Sequence, residues 1–466
     1  MRYFVATCAL LLLCPRRGAA AEPVDQDPDL AAIPKSALNA PAPTTFSPPG
    51  AGADSRIFIE SALTSWERRS ALLVPTPNTQ PGDQERLSLD VAYDWKATHA
   101  LRFGFSDRLN AFAGDDISLP SSGSLRNDLR EAFASYEVVS QAFLEIGRIN
   151  LKNGPALGYN PTDFFKPRTQ VSLASIDPSA SRQNRLGALM VQGQRLFDGG
   201  AFTVAFAPEV QHPSPLLTSA PASFDPRFGQ TNSSTRYLGS LSYDLLGLSP
   251  QVLVFHDDVG THLGASLSYV LSNSVVAYAE WSGVGSGSLS RRAIAFGQST
   301  GSLPLSSPLL LQSSTAKSFR NDAVIGASWT SSYRMTVNLE YHYHQLGFTR
   351  DDFERWIELG HSSSLLAKEL WFVRTYATDE GEPLMRQQVF IRLDWQDAFI
   401  QNLNLGLVSF IDPFDRSTLA QLSAQYALSK HWTFGIYATV VFGRANTEKG
   451  SIPWSKTGVL QIVRYF

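Results

Sequence analysis

The C-terminal stretch of the chain, residues 456–466, reads KTGVLQIVRYF. One face of this stretch carries Gly458, Leu460, Ile462 and Arg464, and the other carries Val459, Gln461, Val463 and Tyr465. A period of two predicts a β-strand, because successive side chains of a strand point to opposite faces. A terminal strand needs partners for its backbone groups, and in a membrane the general solution is a closed barrel without sheet edges. The stretch therefore predicts a barrel that its last strand closes.

This ending resembles the C-terminal strand of bacterial outer-membrane β-barrels, in which a terminal Phe follows alternating apolar residues. The resemblance implies recognition during membrane insertion, and therefore a barrel assembly machinery as a partner. Arg464 stands where that pattern usually has an aromatic or apolar residue. A long arginine side chain near the interface can extend its charged end toward water, so the resemblance survives this departure.

The same alternation recurs from residue 55 to the end of the chain. Nineteen segments can be interpreted as strands: 55–67, 86–95, 99–108, 128–138, 141–149, 185–196, 200–209, 236–245, 250–257, 261–271, 274–283, 319–330, 333–346, 366–376, 386–396, 402–411, 415–427, 431–443 and 456–466. About ten tilted residues cross the apolar band of a membrane. A soluble β-sandwich also alternates, but its strands are usually about five or six residues long and its outward face is polar.

A barrel with both termini in the periplasm needs an even number of strands, so one of the nineteen segments is misassigned. In segment 366–376, Leu366, Leu370 and Val373 follow helical spacing. Removing it leaves eighteen strands and makes 347–385 one long loop with a helix. The competing repair adds a strand at 353–361 and predicts twenty. We predict an all-β, transmembrane, antiparallel up-and-down barrel of about 18 strands, in the range 16–20, with inward-folding extracellular loops.

The chain divides into three predicted regions. Residues 1–21 have the form of a signal peptide, with a basic start, a short apolar core and small residues before the cleavage site. Residues 22–54 are rich in proline and predict a flexible periplasmic segment. Residues 55–466 form the predicted barrel. The two cysteines, Cys8 and Cys14, both lie in the signal peptide, so disulfides do not stabilise the mature chain.

The region after the fifth strand has the most distinctive sequence, LKNGPALGYNPTDFFKPR at 151–168. Asn160 before Pro161 predicts a helix start, because an amide side chain caps and proline suits the first helical position. Phe164 and Phe165 would give such a helix an apolar anchor. The loop 150–184 could then fold inward and narrow the lumen, or it could be a structural loop cap. The Gly147-Arg148 strand end followed by Asn160-Pro161-x-Asp163 resembles uncharacterised porin-like outer-membrane families, and no substrate follows from that resemblance.

Charged residues on the predicted inward faces and in the loop are mixed in sign. The candidate pore-lining or constriction residues are Arg86, Asp90, Asp94, Arg102, Lys152, Asp163, Arg168, Arg182, Arg334, Glu340, Arg392 and Asp394. Opposed rows of positive and negative side chains would set a transverse field that tunes solute and ion preference. The alternative is that these residues form ion pairs that only solvate the lumen wall.

Catalytic and cofactor motifs do not stand out. Glu340, His342 and His344 lie two apart on one strand face, but no fourth metal ligand is in view, so we predict no metal site. No zinc-protease motif or Gly-Lys-Ser/Thr phosphate-binding loop occurs, so no cofactor is predicted and the chain is not expected to be an enzyme. A net charge of −3 carries no basic footprint for nucleic acid.

The leading hypothesis is a passive channel in the bacterial outer membrane, narrowed by loops 150–184 and 347–385, for small polar or charged solutes. A plugged barrel that acts in surface binding or polymer export is the alternative, and a barrel lipid hydrolase is a third hypothesis. The expected partners are outer-membrane lipid, the barrel assembly machinery and small solutes. The oligomeric state is open between a monomer and a trimer.

Overall fold

A computed structural model of the chain describes residues 53–69, 82–114, 125–216, 223–305, 318–362 and 364–466. It has eighteen strands: β1 Ala53–Arg68, β2 Gly82–Lys96, β3 Leu101–Gly114, β4 Leu125–Val139, β5 Ala142–Ile149, β6 Ala188–Phe197, β7 Gly200–Ala207, β8 Arg236–Tyr243, β9 Leu248–His256, β10 Thr261–Ser272, β11 Val275–Ser286, β12 Ser318–Thr330, β13 Met335–His344, β14 Gln387–Trp395, β15 Leu403–Ile411, β16 Thr418–Ser429, β17 Trp432–Phe442 and β18 Trp454–Tyr465. The predicted signal peptide and residues 22–52 of the proline-rich segment lie outside the described residues.

The strands form one closed antiparallel barrel. Each strand pairs with its neighbours in the sequence, and β18 pairs with β1 in a register that runs from Phe58 opposite Tyr465 to Glu67 opposite Lys456. Closure by the terminal strand satisfies its backbone groups on both sides. The predicted fold class and the count of eighteen strands are confirmed.

The connections differ at the two ends of the barrel. At one end, which we call the short-turn end, the longest connection is 396–402, and β1 begins and β18 finishes there. At the other end, the long-loop end, the connections include 150–187, 208–235, 287–317 and 345–386. This asymmetry is typical of membrane barrels.

The two faces of the barrel wall have different residues. Large apolar side chains are exposed on the outward face of the strands, among them Leu89, Tyr93, Trp95, Leu241, Leu339, Ile436 and Leu460. Arg464 faces outward near the short-turn end, where its guanidinium lies 5.2 Å from the ring centroids of both Trp432 and Phe466. Stacking on two rings explains how an arginine fits the terminal strand.

The described parts of the long loops contain five α-helices: α1 Pro178–Asn184, α2 Phe228–Thr231, α3 Leu289–Ser299, α4 Arg350–Ser362 and α5 Ser364–Glu380. Segment 366–376 is therefore helical, as predicted, and α4 occupies the place of the competing twentieth strand. Helices α3, α4 and α5 pack around Ile294, Trp356 and Phe372, and we call this unit the helical cap. In the described part of the chain, no helix is long and apolar enough to cross a membrane.

Asn232, which is fully buried, binds the backbone of β6 and of the residue that follows β7. Its side chain accepts a hydrogen bond from the Leu189 amide at 2.8 Å and donates to the carbonyl oxygens of Leu189 at 2.8 Å and Pro208 at 2.9 Å. One amide side chain thus replaces part of a strand partner for backbone groups that would otherwise be buried and unpaired.

We expect Asn232→Ala to lower the free energy of unfolding by about 2–4 kcal/mol, because several buried backbone groups lose their partner at about 1–3 kcal/mol each. The midpoint of denaturant unfolding in detergent measures the effect. Asn273→Ala, in an exposed turn, is the matched control. An unchanged midpoint for Asn232→Ala would show that water replaces the side chain.

Candidate functional site

Residues 150–187, which we call the inward loop, fold into the barrel and bind two carboxylates on the far wall. Glu280 of β11 accepts hydrogen bonds from the Ala156 amide at 2.5 Å and the Thr162 hydroxyl at 2.8 Å. Glu340 of β13 accepts from the amides of Leu157 at 2.7 Å and Gly158 at 2.9 Å. Both side chains are buried. This carboxylate pair supplies acceptors to loop amides that have no strand partner.

Two glycines let the inward loop approach the wall closely. A Cβ atom on Gly154, whose φ is +77°, would lie 2.5 Å from Glu280 Oε1. A Cβ atom on Gly158 would lie 2.3 Å from the ring of Phe390 and 2.8 Å from His342. A larger residue at either position would push the loop away from the carboxylate pair.

The predicted helix start at Asn160 is wrong. Asn160 begins a series of turns, and its Nδ2 donates to the carbonyl oxygens of Asn153, Gly154 and Ala156 while its Oδ1 accepts from the Thr162 amide. The amides that follow bond at short range, Phe164 to the Thr162 carbonyl and Lys166 to the Asp163 carbonyl, which gives tight turns in place of a helix. Glu280 accepts from the Thr162 hydroxyl and holds this turn against the wall. The Asn-Pro pair therefore shapes a turn that presents backbone groups to the wall.

Phe164 and Phe165 form an apolar anchor, as predicted. They pack against inward-facing residues of β6 to β9, including Met190, Leu253 and Phe255. The ring of Phe164 stacks on Phe255 with centroids 4.8 Å apart. This contact fixes the middle of the inward loop to a second side of the barrel.

Residues 172–174 of the inward loop contact the wall near the point where β18 pairs with β1. Arg86 of β2 donates to the Ser172 hydroxyl at 3.0 Å, and Ala174 packs against a cluster formed by Ala62, Tyr437 and Val459. The loop therefore crosses the lumen from β5 to β1 and β18.

Residues 175–177 contact the wall at β14 and β16, between the carboxylate pair on β11 and β13 and the closure of β18 on β1. Gln421 of β16 accepts from the Ile176 amide at 3.0 Å, and Arg392 of β14 donates to Asp177 at 2.8 Å. Asp177 also caps α1 through the Ser179 amide at 3.0 Å. Arg392 thus holds the helix-capping residue in place.

The two arms of the inward loop are joined to each other. Arg185 forms a bidentate ion pair with Asp163, at 2.8 and 3.0 Å. Arg182 donates to the carbonyl oxygens of Asn153 and Gly154 and lies 3.7 Å from Asp163. Planar guanidinium groups suit this bidentate geometry. The candidate residues Asp163 and Arg182 therefore act within the loop.

Arg168 links the inward loop to the helical cap. Its guanidinium donates to Asp379 of α5 at 3.0 Å and to the carbonyl oxygens of Gly229 at 3.0 Å and Ser214 at 2.7 Å. The Arg168 backbone is left-handed, with φ of 60°, which is uncommon outside glycine. The ring of Phe296 in α3 also lies against the guanidinium. The Arg168 side chain of the inward loop therefore contacts α3, α5 and the loop 208–235.

Arg86 and Asp90 belong to a buried ion-pair network on β1 to β4. Glu60 accepts from Arg86 at 2.6 Å and from Arg108 at 2.7 Å, and Asp90 accepts from Arg130 at 2.7 Å. All five side chains are buried. Paired and desolvated in this way, they stabilise the wall rather than present free charge to a solute.

The remaining candidate residues lie in different parts of the wall, the turns and the inward loop. Asp94 and Arg102 pair with each other on the inward face near the short-turn end, and Asp394 lies 3.5 Å from Arg392. Lys152 is exposed and forms no ion pair within the described ranges.

Arg334 does not lie on an inward strand face: it occupies the left-handed position of a turn before β13, and it pairs with Asp397 of the next turn. With this turn at 331–334, β13 begins at Met335, two residues later than the predicted start at 333.

Two carboxylates of the wall, Glu60 and Glu280, were not among the residues predicted to face the lumen. Glu60 and Glu280 lie on predicted strands, and counting in twos would have placed both carboxylates on the inward face. His342 bonds Glu340 at 2.7 Å, whereas His344 bonds Asp322 at 2.9 Å, so the two histidines have separate carboxylate partners. Among the described residues, no group of three or more His, Cys, Asp or Glu is suited to hold a metal ion.

Two loop residues have shifted pKa values. Burial lowers the pKa of Lys166 to about 8, with nearby carboxylates such as Asp163 opposing the shift. Burial also raises the pKa of Glu380 to about 8, and the negative charges of Glu382 and Asp379 add to this shift. Lys166 donates to the Asn160 carbonyl at 2.7 Å and lies over the ring of Tyr159. Among the described residues, the contacts of the Lys166 ammonium group are thus a carbonyl and an aromatic ring rather than a carboxylate.

Replacing Glu340 by Gln should loosen the inward loop. The carboxylate accepts from two amides through two oxygens, and Gln keeps one acceptor and places an NH2 group against a donor. We expect peptides covering 154–162 to exchange amide hydrogen about tenfold faster, as measured by mass spectrometry. Asp94→Asn, which removes an inward-facing carboxylate away from the loop, is the control. Equal exchange in Glu340→Gln and the wild type would contradict the role of Glu340.

The raised pKa of Glu380 predicts a pH-dependent stability of the helical cap. Because its pKa is higher in the folded protein than the usual 4.5, its favourable contribution is complete below pH 4.5 and is lost as the pH rises through about 8. We expect Glu380→Gln to unfold like the wild type at pH 4.5 and at a higher denaturant concentration than the wild type at pH 9. Glu354→Gln, on an exposed helix face, should show no such difference. An equal effect at both pH values would be evidence against the shift.

No protein-family model matches this sequence, and no curated protein matches it. Solved structures do match. The chain is similar to OccAB1 of Acinetobacter baumannii, with a TM-score of 0.51, 8% identity, and coverage of 89% of this chain and 96% of that chain. It is also similar to OccAB2 of the same organism, with a TM-score of 0.48, 10% identity, and coverage of 89% of this chain and 98% of that chain.

A third match is OmpF of Salmonella typhi in complex with daunomycin, with a TM-score of 0.40, 9% identity, and coverage of 89% of this chain and 97% of that chain. At these identities the likeness to OccAB1 shows a common barrel fold alone. The chemistry of the lumen must be argued from the residues of this chain.

Proposed function

We propose that the chain is a porin-like channel of the bacterial outer membrane that lets small polar or charged solutes diffuse passively. The observation that carries the proposal is the inward loop, which lies across the lumen of a closed barrel and is fixed to its wall on several sides. In this proposal the loop narrows a water-filled path and thereby sets which solutes pass. The proposal includes no catalytic step and no cofactor.

The lumen toward the short-turn end supports this proposal. Small polar side chains face inward there: Gln425 is half-buried, whereas Thr203, Ser240, Ser266 and Ser268 are buried. Hydroxyl and amide groups can exchange hydrogen bonds with water and with solutes. Selectivity would arise at the inward loop, because the charged network of β1 to β4 is already paired.

The proposed setting follows from the barrel itself. The exposed apolar belt fits outer-membrane lipid, and the terminal strand fits insertion by the barrel assembly machinery. The proposed orientation has the short-turn end in the periplasm and the helical cap outside the cell. The proposal is compatible with either a monomer or a trimer.

A plugged barrel that serves surface binding or polymer export is the second candidate. The specific observation that favours it is the joining of the two loop arms by Arg182 and Arg185, beneath a helical cap that has its own apolar core. If the loop and the cap move as one unit, the lumen would open only when a partner displaces both.

Conductance in planar bilayers tests the proposal. We expect wild-type protein to produce stable, discrete open channels. Deletion of 151–184, and separately the Glu280→Ala/Glu340→Ala double substitution, should raise the single-channel conductance, because the loop leaves the lumen. A closed wild-type baseline that opens only in these variants would favour the plugged barrel. An unchanged conductance in correctly folded variants would show that this loop is not the constriction.

A further inference from the structure

A cleft of about 550 Å³ lies between two turns at the short-turn end, 331–334 and 396–402. Tyr333, Trp395, Phe399 and Ile400 line it, together with the ion pair of Arg334 and Asp397. Tyr333 and Phe399 are each 79% exposed and Ile400 is 56% exposed. On a membrane barrel, exposed aromatic residues at a strand end lie at the level of the lipid headgroups, so the charge pair beside them faces the headgroups.

The cleft has a defined shape because the turns are held in an unusual conformation. Arg334, Asp397 and Phe399 all have left-handed backbones, with φ of 58°, 52° and 61°. For a bulky residue such as Phe399, this conformation persists only when surrounding contacts enforce it.

Those contacts are hydrogen bonds within and between the turns. Asp397 Oδ1 accepts from the Asn402 amide at 2.7 Å, and the Ala398 amide donates to the Leu403 carbonyl at 2.7 Å. Trp395 donates to the Tyr333 carbonyl at 3.2 Å, which ties one turn to the other. The strained turn thus places Phe399 with its ring 4.7 Å from that of Trp395, in an edge-on arrangement.

The cleft opens toward the outward face of the barrel. Trp395 shares that face with Leu393 and Ile391 of β14, and Leu339 and Tyr341 are exposed on the same face of β13. A molecule seated in the cleft could therefore extend an apolar part along these two strands. This arrangement fits an amphipathic molecule that lies in a lipid leaflet.

We propose that this cleft binds the headgroup of a zwitterionic phospholipid that carries a primary ammonium group. The guanidinium of Arg334 contacts Asp397 through Nη1, and its side chain remains 68% exposed, so further N–H groups can donate to a phosphate. The ammonium group would bind Asp397 and the ring faces of Trp395 and Phe399. The acyl chains would lie along β13 and β14.

This inference rests on the barrel lying in a membrane but does not depend on solute conduction. A barrel that conducts without retaining this lipid, or that retains it without conducting, would separate the two proposals. The competing explanation is that the aromatic residues only immerse in the interface, as aromatic belts do in general. That explanation predicts no headgroup preference.

Native mass spectrometry of the full-length barrel, extracted from vesicles of phosphatidylethanolamine and phosphatidylglycerol in equal amounts, tests the proposal. We expect retention of one phosphatidylethanolamine in preference to phosphatidylglycerol. Arg334→Asn and Phe399→Asn should each weaken that retention about tenfold, since a charged hydrogen bond or an aromatic contact is lost. Asparagine tolerates the left-handed backbone, so these variants preserve the turns.

The matched control is the exposed ion pair of Glu67 and Lys456, which joins β1 to β18 toward the long-loop end without an aromatic cleft. Lys456→Gln should leave lipid retention unchanged. Equal retention of both lipids, unaffected by any substitution, would overturn the proposal in favour of simple immersion. Preferred retention of phosphatidylglycerol would overturn the assignment of the ammonium group to Asp397. Equal loss in Lys456→Gln and Arg334→Asn would overturn the assignment of the site.

Discussion

A chain segment that crosses the interior of a barrel must find hydrogen-bond partners for its own peptide groups. Strand residues solve this problem with their neighbours, whereas the inward loop has no strand beside it. The carboxylate pair, Glu280 and Glu340, solves it here by accepting amides of residues 156–158. The apolar anchor of Phe164 and Phe165 and the bonds of Arg182 and Arg185 between the loop arms add further attachments along the same segment. Gly154 and Gly158 belong to the same constraint, since only residues without a side chain allow the approach.

Charge inside the barrel has mainly a structural use in this protein. Arginines on β2 to β4 bind Glu60 and Asp90, and Arg182 and Arg185 bind the loop itself. Of the two interpretations of the mixed charges, the paired wall fits the buried members of the candidate set. A transverse field would have to come from side chains that remain accessible, such as Asp94, Arg102 and Lys152. In the proposed channel, this separation would place solute contacts away from the residues that stabilise the wall.

The sequence predicted the barrel and its strand number because alternation and parity are properties of the whole chain. Helical spacing at 366–376 identified α5, and the two phenylalanines at 164–165 identified the anchor. The turn at Asn160 was missed because Glu280, a wall residue more than a hundred positions away, binds Thr162 within it. Arg334 was misplaced because a left-handed residue does not interrupt the pattern of residue types. Pairings such as Arg168 with Asp379 depend on three-dimensional proximity, which local patterns do not contain.

Disulfide trapping tests most directly whether the inward loop crosses the lumen. Ala174 of the loop packs beside Ala62 of β1, on the side of the barrel where β18 closes it. The only two natural cysteines, Cys8 and Cys14, lie in the predicted signal peptide, so an Ala62→Cys/Ala174→Cys pair would be the only thiols of the mature chain. We predict rapid, near-complete disulfide formation in membranes, detected by the mass of the peptide joining 62 to 174. Free thiols at both positions, with residue 174 accessible to a bulky external reagent, would contradict a loop that crosses the lumen.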